Sequence, residues 1–143
     1  MFRTGDAFGV NKLYLVGYTA SPPKPQIDKV SLGAEKWILW EQRKDLKRLI
    51  GSLKKKGVEI VALEESENSV KIEDYVLAGV KTKNQKDIAL IVGNEVDGVS
   101  SDILKLCDYV VHIDMYGKKE SLNVSVAAGI AMYEIKSKIE ATK

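Results

Sequence analysis

Two loops in this 143-residue chain concentrate side chains able to do chemistry. Gly93-Asn94-Glu95-Val96-Asp97-Gly98 sets two glycines and two carboxylates directly after the apolar run Ile88 to Val92. Glycine accepts positive φ and lets a ligand approach the main chain, so such a loop could hold a small molecule through backbone groups. An ordinary strand-to-helix turn, with acidic groups favoured near a helix start, has the same composition. The spacing is neither the three-glycine dinucleotide fingerprint nor a phosphate-binding Gly-Lys-Ser/Thr. The second loop, Met115 to Asn123, leads into a small-residue helix, where Ser121 and Asn123 are rival N-caps or polar groups of a site. Glu95, Asp97 and Asp114 would be the donors of a metal-dependent hydrolase, a weaker reading. His112 lies inside an apolar run, where a hydrogen-bonded core histidine is the commoner role, and Cys107 reads as a small buried hydrophobe.

The elements that must position these loops alternate. Met1 to Val10 suits a short helix closed by Gly9. Lys12 to Gly17 is a mostly apolar run of strand length, of the kind buried on both faces of a parallel sheet. Pro22, Pro23 and Pro25 interrupt the chain after that run, and Gly33 to Trp40 is ambiguous, with Trp37 and Trp40 three apart as on one helical face. From Asp45, the residues Leu46, Leu49, Ile50 and Leu53 fall at i, i+3, i+4 and i+7, and Gly57 ends an amphipathic helix. Val58 to Leu63 and Tyr109 to Ile113 read as further strands around Ile88 to Val92. Ser100 or Ser101 can cap a short helix through Cys107, and a long helix runs from near Asn123 toward Lys138. Strands alternating with helices predict an α/β fold with a largely parallel sheet flanked by helices. Ligands bind such sheets at the carboxyl ends of the strands, where both loops lie.

Composition narrows the function. At 15.8 kDa and 45% hydrophobic residues the chain has the size and core of one domain, residues 1–143, rather than a two-domain enzyme. With 22 Lys and Arg against 20 Asp and Glu, the net charge of +2 disfavours a constitutive polyelectrolyte binder. A basic stretch remains: Arg43, Lys44, Lys47, Arg48, Lys54, Lys55 and Lys56 lie on the polar side of the amphipathic helix, a solvated face or an RNA-contacting one. One Cys and one His supply neither an internal disulfide nor a structural zinc site. Without a membrane-spanning run or a signal-peptide pattern, the expected setting is the cytoplasm, with no membrane partner.

Taken in order, three segments resemble the motifs of the SPOUT class of RNA methyltransferases, in the SpoU or TrmH family of ribose 2′-O-methyltransferases. Phe2 to Val10 resembles the end of the first motif, Gly93 to Gly98 the second, and Ile113 to Gly117 with Ser121 to Ser125 the third. Leu32 to Trp37 is similar to the small single-domain tRNA methyltransferases. The resemblance implies a C-terminal trefoil knot and S-adenosylmethionine as cofactor, held by Leu63, Gly93, Ile113, Ser121 and Leu122. It also implies a homodimer and an RNA substrate, tRNA favoured over ribosomal RNA because no added RNA-binding domain is present. By the same resemblance Arg3, Glu95, Ser121 and Asn123 are the catalytic residues, Arg3 binding a phosphate beside the proton transfer. The alternatives are a ribosomal RNA enzyme or a catalytically impaired RNA-binding knotted dimer. The family's first motif opens on a strand and an Asn before the arginine, so a domain shortened at its N-terminus, without that first strand, is expected. Asp114 stands where the family usually carries proline.

Overall fold

The computed structural model describes residues 1–77, 87–94, 96–119 and 121–141. Their packing groups into two compact units, Met1–Leu49 and Ile50–Lys143. In the first, helix α1 (Phe2–Ala7) ends at Gly9, whose φ of +67° gives the left-handed turn that a Cβ would disfavour. Strand β1 (Lys12–Val16) pairs in parallel with β2 (Leu39–Arg43), Leu13 opposite Trp40. Between them come α2 (Pro25–Ser31), which starts on proline, and a single 3-10 turn at Ala34–Lys36. Phe2, Leu15, Ala34 and Ile38 form the core of this unit.

Two expectations need correction here. Trp37 and Trp40 do not share a helical face: the turn before Trp37 is three residues long, and Trp40 belongs to β2. Strand β1 is not buried on both faces, since only Leu15 is buried along it. Its one strand neighbour among the described residues is β2, so it lacks the cover a central parallel strand receives.

Helix α3 (Leu46–Lys55) spans the division in the chain. The Asp45 carboxylate accepts the Arg48 N–H at 3.0 Å, Leu49 and Ile50 are buried, and Gly57 closes the run at φ +78°. The second unit is a parallel sheet of β3 (Glu59–Leu63), β4 (Val70–Lys71), β5 (Ile88–Val92) and β6 (Tyr109–His112), in the order β4-β6-β3-β5. Helix α4 (Ser101–Leu104) is shorter than the expected run to Cys107, and Ser100 holds its N-cap position. The last helix, α5 (Val124–Glu140), begins where expected, with the Asn123 side chain accepting the Ser125 N–H at 2.9 Å. Among the described residues no helix is long and apolar enough to cross a membrane.

The core of the second unit joins Val61, Val111, Ile72, Tyr75 and Leu77 to Ala131 and Ile135 of α5. Ile60, Val61 and Ala62 are wholly buried, as the continuous apolar run of a central parallel strand requires. One polar pair lies inside. The Tyr75 hydroxyl donates to the carboxylate of Glu59, and both residues are buried. Burial, and then that hydrogen bond, push the Tyr75 pKa far up, which keeps the hydroxyl a donor. Removing the hydroxyl leaves a buried carboxylate short of a donor. Tyr75→Phe is therefore expected to lower stability by about 1–3 kcal/mol in urea unfolding, and Glu59→Gln by less, because the amide oxygen still accepts.

Candidate functional site

The sheet brings three strand ends side by side. Leu63 is opposite Val92 of β5 on one side and Val111 of β6 on the other. Gly93 and Ile113 follow directly on those strands, so Leu63, Gly93 and Ile113 share the carboxyl edge, all three half-buried. That edge is where an open parallel sheet receives a ligand.

Glu64 and two glycines close the loop after β5. The Glu64 carboxylate accepts the Val99 N–H at 2.7 Å and the Glu65 N–H at 3.1 Å, which ties the end of β3 to the far side of the loop. Asn94 turns the chain back: its side-chain oxygen accepts from Val96 at 2.9 Å and Asp97 at 2.8 Å, and its carbonyl accepts the Gly98 N–H at 3.1 Å. Gly98 sits at φ +61°, and a Cβ there would run into the Glu64 carboxylate. At Gly93 a Cβ would collide with the Gly98 backbone. Both glycines are thus required by close approach within the protein.

The loop after β6 is held differently. Asp114 pairs with Lys71 at 2.5 Å and lies 3.3 Å from Nε2 of His112, and the Tyr116 hydroxyl is 3.4 Å away. Lys71 beside it, first through the hydrogen bond, holds the Asp114 carboxyl below its ordinary value and raises Lys71 in turn. Nδ1 of His112 is hydrogen-bonded to Ser69 Oγ at 2.9 Å, which gives this partly buried ring a polar partner. Lys71, His112, Asp114 and Tyr116 line a cavity of about 110 Å³ with Ile72, Glu73, Ile130 and Glu134.

Ser121 and Leu122 are exposed between this loop and α5, and Asn123 is the N-cap of that helix. Arg3 lies exposed on α1 in the first unit, and Glu95 lies outside the described residues. For a metal-dependent hydrolase, Asp114 is already committed to the Lys71 ammonium. No cluster of three or more metal-ligating residues occurs among the described residues. Cys107 is half-buried and burial raises its thiol pKa, which suits an unreactive side chain. Of the basic stretch, Arg43 pairs with Glu41, Arg48 with Asp45 and Lys54 with Asp108. Sequence reasoning missed Glu64 and Lys71. Glu64 had one faint signal, its place just past the end of a buried strand.

The strand-end edge thus presents the half-buried Leu63 and Ile113 beside the main chain of Gly93. The SpoU rRNA methylase family model matches residues 1–133. The tRNA (guanosine(18)-2′-O)-methyltransferase of Aquifex aeolicus is 39% identical over 92% of this chain. That match covers 59% of the relative, so the chain spans about six tenths of its length. Among solved structures, the A. aeolicus TrmH/SpoU tRNA modifying enzyme superposes with a TM-score of 0.82 at 34% identity, covering 98% of this chain and 67% of that one. The AdoMet-bound rRNA methyltransferase of Sinorhizobium meliloti gives 0.84 at 25% identity, covering 95% and 49%.

The glycine geometry predicts a ranking of alanine variants. Gly93→Ala forces backbone apart and should cost about 2 kcal/mol or more, while Gly98→Ala, opposed by a side chain but strained at positive φ, should cost about 1–2 kcal/mol. Gly51→Ala, in open space on α3, should instead stabilise by roughly 0.5–1 kcal/mol. Urea midpoints of the three variants check the order.

Proposed function

The chain belongs to the SpoU rRNA methylase family, and from that premise we propose that it transfers a methyl group from S-adenosylmethionine to the 2′-hydroxyl of an RNA ribose. The observation that carries the reading is the alignment of Leu63, Gly93 and Ile113 along one carboxyl edge of parallel strands. The S. meliloti enzyme of the same fold was crystallised with AdoMet, and the match to a protein named for tRNA is the stronger in identity, so tRNA is favoured over ribosomal RNA. The family match runs across both compact units, which we therefore read as one methyltransferase domain.

When bound, the cofactor supplies a methyl group on a sulfonium, whose leaving group is a neutral thioether, so no metal is required. Leu63, Gly93, Ile113, Ser121 and Leu122 are the residues that hold it, chiefly through backbone groups and apolar contact. Arg3 has a guanidinium with a pKa above about 12 and stays charged. Its role is to bind the phosphate beside the reacting ribose and lower the basicity needed to remove the hydroxyl proton, rather than to take that proton. Ser121, Asn123 and Glu95 organise the polar side of the site. Asn123 does so as the cap that fixes where α5 begins.

Two structural features of the family belong to this reading. Support for the trefoil knot comes from strand order: β6 occupies the slot between β3 and β4, which are already joined by residues 64–69. A chain that carried β6 through that loop would be an exception to the general rule of unthreaded connections. Support for a homodimer comes from α5, where Val126, Ile130 and Tyr133, at i, i+4 and i+7, are exposed beside the small residues Ala127, Ala128 and Gly129. An RNA substrate is met in the cytoplasm.

Tritiated methyl transfer from S-adenosylmethionine into unmodified bulk tRNA, and in parallel into ribosomal RNA, tests the reading, with nuclease digestion identifying the labelled nucleotide. The expected product is a 2′-O-methyl nucleotide from tRNA. Leu122→Arg should abolish cofactor binding in calorimetry. Arg3→Ala should keep that binding and lose transfer by about 100-fold. Cofactor bound without label in either RNA would leave an RNA-binding knotted protein and defeat the catalytic claim.

A further inference from the structure

Parallel pairing sets Lys71 of β4 opposite His112 of β6. Side chains along a strand alternate faces, so Ser69, Lys71, His112 and Asp114 fall on one side of this sheet edge. Ile72, Val111 and Ile113 fall on the other, where Ile72 and Val111 belong to the core and Ile113 packs against it. The four polar groups form a continuous ladder. The Ser69 hydroxyl donates to the Ser66 carbonyl at 2.7 Å and therefore accepts from Nδ1 of His112 at 2.9 Å. Nε2 of that ring faces Asp114 at 3.3 Å, and Asp114 closes the ladder on Lys71 at 2.5 Å.

Among the described residues, every polar contact of the loop from Asp114 to Lys119 ends on the Asp114 carboxylate. This loop begins beside Ile113 and leads to Ser121 and Leu122. We propose that Asp114 is a positioning residue for the methyl-donor loop: through Lys71 it ties that loop to β4, so that an ion pair across the sheet edge carries part of the cofactor affinity. The inference rests on the reading that this loop holds S-adenosylmethionine.

The ladder's exposure dictates its signature. The Lys71 and Asp114 side chains are 47% and 27% exposed, so salt screens their attraction and the pair adds little to global stability. Its effect falls on where the loop sits. Loss of the latch should therefore raise the dissociation constant and KM for the cofactor more than it lowers kcat, and leave the urea midpoint nearly in place.

Calorimetry with S-adenosylmethionine on Asp114→Asn, Lys71→Asp, Asp114→Lys and the charge-reversed pair Lys71→Asp/Asp114→Lys makes the test. Each single variant should bind about fivefold or more weakly, and the reversed pair should recover most of that loss. Raising salt from about 0.05 M to about 0.5 M should weaken the unaltered chain and leave Asp114→Asn unmoved. Unchanged affinity in Asp114→Asn, or a reversed pair no better than the singles, overturns the proposal. Backbone NMR order parameters of Met115 to Lys119, measured without cofactor, separate the two layers. They should fall in Asp114→Asn, and unchanged values overturn the latch itself, whereas failure of the unaltered chain to bind cofactor overturns the reading beneath it.

Discussion

Strand β6 lies in a slot between β3 and β4, two strands already joined by residues 64–69. That short connection must therefore span the width of β6, about 9.5 Å across two strand spacings. It is fastened to β6 at both ends: the Glu64 N–H donates to the Val111 carbonyl at 2.9 Å, and the Ile72 N–H, just past β4, to the His112 carbonyl at 2.9 Å. Strand β6 hydrogen-bonds to a parallel neighbour on either side. Buried backbone groups demand such pairing, so the slot cannot be left empty without cost, and filling it fixes the level of every loop at the carboxyl edge.

From that one insertion the site emerges. With β6 seated, Val111 stands level with Leu63 and Ile113 lies two residues beyond it, while β5 on the other flank brings Gly93 to the same edge. Glu64 then serves two tasks at once. Its amide closes the β3–β6 ladder, while its carboxylate caps the Val99 amide and leaves room only for a glycine at position 98. The two glycines of that loop had suggested open backbone for a ligand. Their geometry shows a loop folded on itself, Gly93 against Gly98.

Much of this was legible in the residues. The runs at Val58, Ile88 and Tyr109 gave strands within a residue of their observed limits, and Asn123 proved the cap that its type and place allowed. What stayed hidden had physical reasons. Strand β4 is two residues long and exists only because β6 offers a ladder partner, so no local periodicity marks it. Strand β2 was obscured by two tryptophans at helical spacing, and tertiary pairing with β1 decided it. The Glu59–Tyr75 bond and the Lys71–Asp114 pair join positions 16 and 43 apart in sequence, beyond the reach of any spacing rule. The glycines required by close approach were visible as glycines, but not as partners of Glu64.

A single strand thus divides stability from function by residue parity. Val111 enters the core with Val61 and Ile135, and Ile113, two residues on, packs against it, so substitution there acts on the whole unit. His112 and Asp114 face the polar ladder, where partial exposure makes the energies small and the geometry local. A loop held by buried apolar contact would be as stable as the sheet and as slow to open. One held by a screened carboxylate can release without unfolding β6. The methyl transfer proposed above, with a charged cofactor admitted and a neutral product discharged, would gain from that second arrangement, because the hold on the loop is set apart from the hold on the fold.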